Sequence, residues 1–214
     1  LWAGRCKEHH SNLQRALSID KRQILFGIIQ GGIHPDLREK SAKALLALDF
    51  EGYSIGGLAL GEPKKEEYEM IDVVKKVLPE GKPVYLMGAG HPLELLEAIS
   101  RGVDMFDSRF PTKSARHGTI FTSQGKMTLT NLQYKDDENP IDASCECFVC
   151  KRYSRAYLRH LLIEEEPVGL RLASYHNLYF LQALMREARK AIKEGTFLQL
   201  LERYRKVYPE ATGA

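Results

Sequence analysis

The chain has 214 residues, 43% of them apolar and 28% charged, with a formal net charge of +3. That composition is ordinary for a soluble globular protein and long enough for one substantial domain or two small ones. No apolar run approaches the ~20 residues needed to span a bilayer, and so mild a charge permits a nucleic-acid partner without arguing for one.

The opening Leu1-Trp2-Ala3-Gly4-Arg5 lacks the charged start and apolar middle of a signal peptide. Residues 5–20 read as the tail of an amphipathic helix, with Leu13, Ala16 and Leu17 on one face and His9 and His10 in solvent. A chain that opens inside a helix hints at sequence before it. Cys6, remote from the other cysteines, reads as an ordinary thiol.

Four strand candidates follow, each running into glycine or a polar residue. They are residues 24–29 before Gln30-Gly31-Gly32, 53–55 before Gly56-Gly57-Leu58, 84–87 before Gly88-Ala89-Gly90-His91, and 103–106 before Asp107. Such apolar runs suit parallel strands buried on both faces. Helical segments at 36–48, 64–78 and 92–100 separate them, and this alternation argues for βαβ units. Gln30, Gly57, Met87 and Asp107 therefore gather at strand C-terminal ends, the functional face of a (β/α) barrel. Four units cannot close an eight-stranded barrel of ~250 residues, so the sheet is half a barrel or is completed by another chain. Pro92 places Gly88-Ala89-Gly90-His91 just before a helix, whose free N–H groups would suit a phosphate; a plain tight turn is the alternative.

Asp107 opens a second theme. It ends a strand read as an apolar core strand through Val103, Met105 and Phe106, and leads into a Pro-containing turn bearing Arg109, Lys113, Arg116 and His117 with no acidic residue. A strand-end carboxylate beside cations points to chemistry on a polyanion, against a capping carboxylate balanced by nearby charge. Beyond it, residues 119–122 and 127–130 read as a hairpin, and an acidic loop at 136–140 leads to the cysteines. Helices are expected at about 154–163, 172–193 and 196–206, the long one carrying Leu178, Leu181, Leu184 and Met185 on an apolar face and Arg186, Arg189, Lys190 and Lys193 on an outer face that suits solvent or RNA. The division falls between residues 1–117 and 118–214.

Cys145, Cys147 and Cys150 stand at C-x-C-x-x-C spacing. That is a poor disulfide framework and a good metal-ligand cluster, which fits a reducing cytosol. Zinc takes four such ligands tetrahedrally, and a filled shell makes the site structural. His176 is the best fourth ligand, with His160 the competitor.

Taken together, the words Gly27-Ile28-Ile29-Gln30-Gly31-Gly32, Gly56 through Glu62, Tyr85 through Gly90, Val103 through Asp107, Pro111-Thr112-Lys113, the cysteine cluster and His176-Asn177-Leu178 resemble, in order, the queuine/preQ1 tRNA-guanine transglycosylases. The resemblance covers the whole chain and about the C-terminal three-fifths of a family member. It implies the C-terminal half of a TIM-type (β/α)8 barrel with a zinc-binding α+β subdomain, one structural Zn2+ per chain, and a cytoplasmic homodimer. It further implies exchange of the wobble guanine in a tRNA anticodon loop for a 7-deazaguanine, either preQ1 or queuine. Asp107 would be the nucleophile at ribose C1′. Gln30 and the Gly57-Leu58 backbone would read the base edge, and Met87 would pack on its face. RNA contacts would come from Gly88, Ala89, Gly90, His91, Pro92, Leu93, Glu94, Thr112, Lys113, Ser114, Ala115 and Arg116.

Three departures accompany the resemblance. Ser108 stands where many members carry cysteine, and Lys113 where arginine is frequent, keeping the charge without the bidentate fork. The half of the barrel that normally supplies the acid/base aspartate and a base-recognising aspartate lies outside these residues, to be provided by the same or another chain. Asp104 cannot replace them, because strand alternation turns it to the opposite face. Two other functions fit less of the pattern. One is a non-catalytic tRNA-binding accessory subunit. The other is a glycoside hydrolase, which needs a second acid and finds only Glu62 nearby.

Overall fold

The computed structural model describes residues 2–16 and 23–209. They fall into two compact units: one holds Glu97–Asp107 and the described residues before Gly90, the other Gly90–Leu96 and the described residues from Ser108 on.

The first unit is built on a parallel sheet of four strands, β1 (Phe26–Ile29), β2 (Gly52–Ile55), β3 (Val84–Met87) and β4 (Met105–Asp107), adjacent in chain order. Helices α1 (Trp2–Ala16), α2 (Pro35–Leu46), α3 (Lys64–Lys75) and α4 (Pro92–Ser100) complete the alternation. Proline stands at the start of α2, where fixed φ and a missing N–H cost nothing. The register aligns Ile29 with Ile55, Ile55 with Leu86, and Leu86 with Phe106, so one row runs across the whole sheet. The next residue of each strand then lies at its C-terminal edge.

Burial grades across the sheet. β2, flanked on both sides, is buried at every position. The outer strands are not: Ile28 of β1 and Met105 of β4 are each nearly half exposed. β4 is the last strand of the sheet among the described residues, and Met105 on it is exposed where its apolar residues predict a core position. Val103 is buried but precedes the strand. Asp104 lies at the other end of the sheet, its carboxylate accepting from Val84 N at 2.8 Å.

α1 differs from its sequence reading. Leu17 and the residues up to 22 lie outside the described residues, and Leu13 is exposed. The helix docks instead through Gly4, Lys7 and His10, spaced three apart, because Lys7 reaches Asp49 O at 2.8 Å and Glu51 lies 3.4 Å from Lys7 and 3.6 Å from His10. His10 is consequently buried, while His9 is exposed as expected.

In the second unit the Pro-containing turn after Asp107 is a short helix, α5 (Phe110–Arg116), with Pro111 in its first turn. β5 (Thr119–Thr122) and β6 (Gly125–Thr128) form the hairpin, the first strand as expected and the second starting two residues earlier than the pattern indicated, so the turn is two residues shorter. α6 (Phe148–Arg152), α7 (Arg155–Ile163), α8 (Pro167–Lys193) and α9 (Phe197–Val207) follow. α8 spans 27 residues, about 40 Å. Of its anticipated apolar face, Leu181 and Leu184 are buried but Leu178 is exposed, since Leu172, Ala173, His176, Asn177 and Phe180 carry the inward stripe. Ala115, Ile120, Leu129, Ile141, Val149 and Leu158 fill the core around it.

Asn177 is the polar pin of this core. Its Oδ1 accepts from Phe121 N at 3.0 Å, and its Nδ2 donates to Pro111 O and Thr119 O at 3.0 Å each. One fully buried amide thus ties α8 to α5 and β5. Replacing it with alanine would remove the side-chain partner of three backbone groups, two of the bonds buried and one part-buried, and an unsatisfied buried group costs ~1–3 kcal/mol. Asn177→Ala is expected to lower unfolding stability by about 3 kcal/mol or more, read by urea denaturation; a loss under about 1 kcal/mol would show that the amide is replaceable.

Candidate nucleophile and metal centres

At the C-terminal edge of the sheet the register brings Gln30, Gly56, Met87 and Asp107 into successive positions, since Met87 pairs with Asp107 and Gly56 N donates to Ile29 O at 3.0 Å. Asp107 is exposed. Its Oδ1 accepts from the Tyr85 hydroxyl at 2.5 Å and from Gly88 N at 3.1 Å, and Oδ2 carries no hydrogen bond among the described residues. The bond to Asp107, with partial burial, pushes the Tyr85 phenol up to about 12. The carboxylate is held by one oxygen and offers the other. Tyr85 stands in an apolar strand and in one of the matching words, with no role of its own in the sequence; alternation along β3, which puts Tyr85 and Met87 on one side, is the signal for it.

The β1 and β2 ends are interlocked. A Cβ at Gly57 (φ +65) would come within 2.7 Å of Gln30 Oε1, and one at Gly56 within 2.5 Å of Gln30 Nε2. Gln30's exposed amide therefore lies against the glycine backbone of this loop, and the left-handed φ of Gly57 favours glycine there. Leu58 is buried, so its side chain packs while its backbone lines the loop. Glu62 is turned onto that same loop, its carboxylate accepting from Ala59 N and from Leu60 N at 3.0 Å. It is occupied as a loop clamp, which removes the residue nominated as a hydrolase's second acid.

In the second unit the glycine-rich lead into α4 is closed rather than open. Glu94 accepts from Gly90 N at 2.9 Å and from His91 N at 3.1 Å, occupying two N–H groups just ahead of the helix. Gly90, Pro92, Leu93, Glu94 and Ala115 are buried, as is Ala89, so such residues reach a ligand only by backbone or by shape. Gly88, Lys113 and Arg116 are exposed; His91, Thr112 and Ser114 are half-buried. Ser108 Oγ accepts from Phe110 N at 3.1 Å, at the start of α5.

Cys145, Cys147, Cys150 and His176 come together with every ligand atom within 4.8 Å of the others. His160 is exposed on α7 and takes no part. Cys147 is the N-cap of α6, and its sulfur accepts from Cys150 N, so the loop's own hairpin shape aims two thiols inward. His176 is fully buried, and its Nε2 donates to Phe121 O at 2.8 Å. That bond fixes the proton on Nε2 and leaves the Nδ1 lone pair facing the sulfurs at 3.9, 3.4 and 3.3 Å. Tetrahedral Zn–S bonds of about 2.3 Å and Zn–N bonds of about 2.0 Å require S···N separations of about 3.5 Å. The four residues fit a zinc ion, all four positions being taken by protein.

Electrostatics point the same way. Neighbouring sulfurs push the Cys147 thiol down and the Cys150 thiol up, because so close a trio cannot hold several negative charges unaided. Burial pulls His176 down, but Cys145 and Cys147 outweigh it and raise the ring to about 9. A divalent cation removes both conflicts. Asp142 supports the loop, accepting from Ser123 Oγ at 3.1 Å, Ser144 N at 2.9 Å and Ser144 Oγ at 2.7 Å, while its own carbonyl accepts from Cys145 N at 3.1 Å.

A parallel βα sheet with an exposed strand-end carboxylate, followed by a unit with a closed thiol–imidazole cluster able to hold a metal ion, defines an α/β protein with a candidate metal centre. Residues 1–210 match the model of the family described as TGT: Queuine tRNA-ribosyltransferase, and the chain belongs to that family. It is 51% identical over 207 residues to the queuine tRNA-ribosyltransferase of Desulforamulus reducens, covering 97% of this chain and 54% of that protein. The Halothermothrix orenii and Fusobacterium nucleatum relatives of the same name are each 49% identical, covering 97% and 95% of this chain and 53% of their own length. The chain thus spans about half the length of the curated relatives it matches, rather than three-fifths.

Cys147→Ser and His176→Ala are each expected to abolish stoichiometric zinc by elemental analysis and to lower the melting temperature, as chelation would for the parent. Metal retained at one per chain in both variants would exclude this ligand set. His160→Ala should leave the zinc content unchanged.

Proposed function

We propose that this chain carries the nucleophile and the base-reading loops of a tRNA-guanine transglycosylase, which exchanges a wobble guanine for a 7-deazaguanine. The observation that carries the proposal is the state of Asp107: exposed at a parallel strand end, anchored through Oδ1 alone, with Oδ2 unengaged among the described residues. Family membership supports the reaction class.

In this reading Asp107 Oδ2 attacks ribose C1′ of a nucleotide withdrawn from its stack. The C1′–N9 bond breaks, the electron pair leaves with guanine, and a covalent aspartyl-ribose ester remains. The incoming base attacks C1′ from the opposite side and releases the carboxylate. Two inversions give net retention. Tyr85 and Gly88 N hold Oδ1 through both steps, so the carboxylate meets C1′ in one orientation. The Gln30 amide and the Gly57–Leu58 backbone supply the donors and acceptors for the purine edge, and half-buried Met87 the apolar face. Lys113 and Arg116, exposed on α5, serve phosphates. Proton exchange with the leaving base falls to the half of the barrel outside these residues.

Sequential strand order and the exposed edge residues Ile28 and Met105 support a sheet that continues into a (β/α)8 barrel. Zinc in the Cys3His cluster is structural, since the four protein ligands leave no place for water. Exposed Phe148, Tyr157 and Tyr175 near the cysteine loop suit a homodimer contact. No helix among the described residues is long and apolar enough to cross a membrane.

The natural full-length protein with Asp107→Ala is expected to show no guanine exchange and no covalent tRNA adduct on denaturing gels, while still shifting tRNA in a native gel. Exchange by that variant would refute the assignment; tRNA binding without exchange by the parent would favour an accessory subunit. Tyr85→Phe removes one bond to a charged group, worth ~1.5–3 kcal/mol. It is expected to lower kcat about tenfold or more with little change in KM.

A further inference from the structure

α2 buries an arginine. Arg38 is 0% exposed, a placement a charged residue tolerates only when its donors are bonded. Its Nε donates to Gly32 O at 2.7 Å, its Nη1 to Gly56 O at 3.0 Å and its Nη2 to Gly57 O at 3.1 Å. All three acceptors are main-chain carbonyls. One belongs to the loop after β1 and two to the loop after β2.

Those loops are the ones that would read the base. Gln30 immediately precedes the first and lays its amide on the second, in contact range of Gly56 and Gly57. The first loop rests on α2 itself: Gly31 has φ +145, and a Cβ there would lie 2.7 Å from Arg38 N. A planar fork bonded to both loops sets their separation more rigidly than two loops packed side by side, because each N–H direction is fixed relative to the others. Lysine, with its donors on one atom, cannot reproduce that span.

We infer that Arg38 is a positioning residue for base recognition, its fork holding the Gln30 amide and the Gly57–Leu58 backbone at the spacing that lets both address one purine edge. The inference rests on the transglycosylase reading. It touches no substrate atom and acts only through the two loops.

The test uses the natural full-length protein, tRNA and labelled guanine. Arg38→Lys is expected to raise KM for guanine about tenfold, with kcat within about threefold and the covalent tRNA adduct still formed. Zinc content and melting temperature are measured on the same sample. Arg38→Ala should show the same KM defect, partly reversed by millimolar guanidinium.

A role in stability alone would lower the melting temperature while leaving KM for guanine unchanged well below it, and that result would overturn the inference. So would failure of both variants to fold. Asp107→Ala and Gln30→Ala are run alongside. Exchange by Asp107→Ala would remove the reading beneath the inference. An inactive Asp107→Ala and a raised KM in Gln30→Ala, with normal KM in Arg38→Lys, would remove the inference alone.

Discussion

The parallel register of the sheet is the constraint on which the first unit depends. Ile29, Ile55, Leu86 and Phe106 share one row, and hydrogen bonding between parallel strands leaves no freedom to shift a single strand without breaking its ladder. The residues one step later are thereby delivered to one edge together. Gln30, Gly56, Met87 and Asp107 are distant in sequence, yet each inherits its place from an apolar neighbour inside the sheet. The grouping of these residues at one edge is a consequence of core packing one residue back.

The second unit is organised by a different device, a pair of consecutive polar residues buried in the middle of a long helix. His176 and Asn177 both engage β5, through Phe121 O and Phe121 N respectively. Asn177 satisfies backbone that would otherwise be orphaned. His176 uses one ring nitrogen for the same purpose and turns the other to three sulfurs. A metal at that point cross-links the cysteine loop, α8 and the hairpin.

Ionisable side chains recur as the means by which loops are fixed. Arg38 joins two loops after strands, Glu62 closes the turn at residues 59–62, Glu94 seals the start of α4, and Asp142 shapes the approach to Cys145. Each bonds main-chain groups of the loop it fixes, Asp142 adding the hydroxyls of Ser123 and Ser144. Loops cannot be held by hydrophobic packing without stranding their amides, so charge-assisted bonds to the main chain provide rigidity where a site needs it.

The strand–helix alternation, the cysteine spacing and the position of Asp107 were legible from residue order, because periodicity and ligand spacing are local properties of the chain. His176 was legible as the fourth ligand, being the histidine near the start of a helix expected to face the cysteines. Local order did not disclose that the basic segment after Asp107 is helical, since Phe110-Pro111 reads equally as a turn. Nor did it disclose that Leu13, Leu178 and Met105 would be exposed, that His10 would be buried, or that Glu94 would occupy the N–H groups ahead of α4. The partners of Arg38 and Tyr85 were equally hidden. All of these depend on which surface a neighbour covers or which donor a folded loop presents. By itself the sequence determined the order of most elements, the members of the cysteine–histidine cluster and the strand ends. Only the tertiary structure decided which polar side chains bind backbone and which remain free to act, because hydrogen-bond partners are chosen by proximity in space and not by distance along the chain.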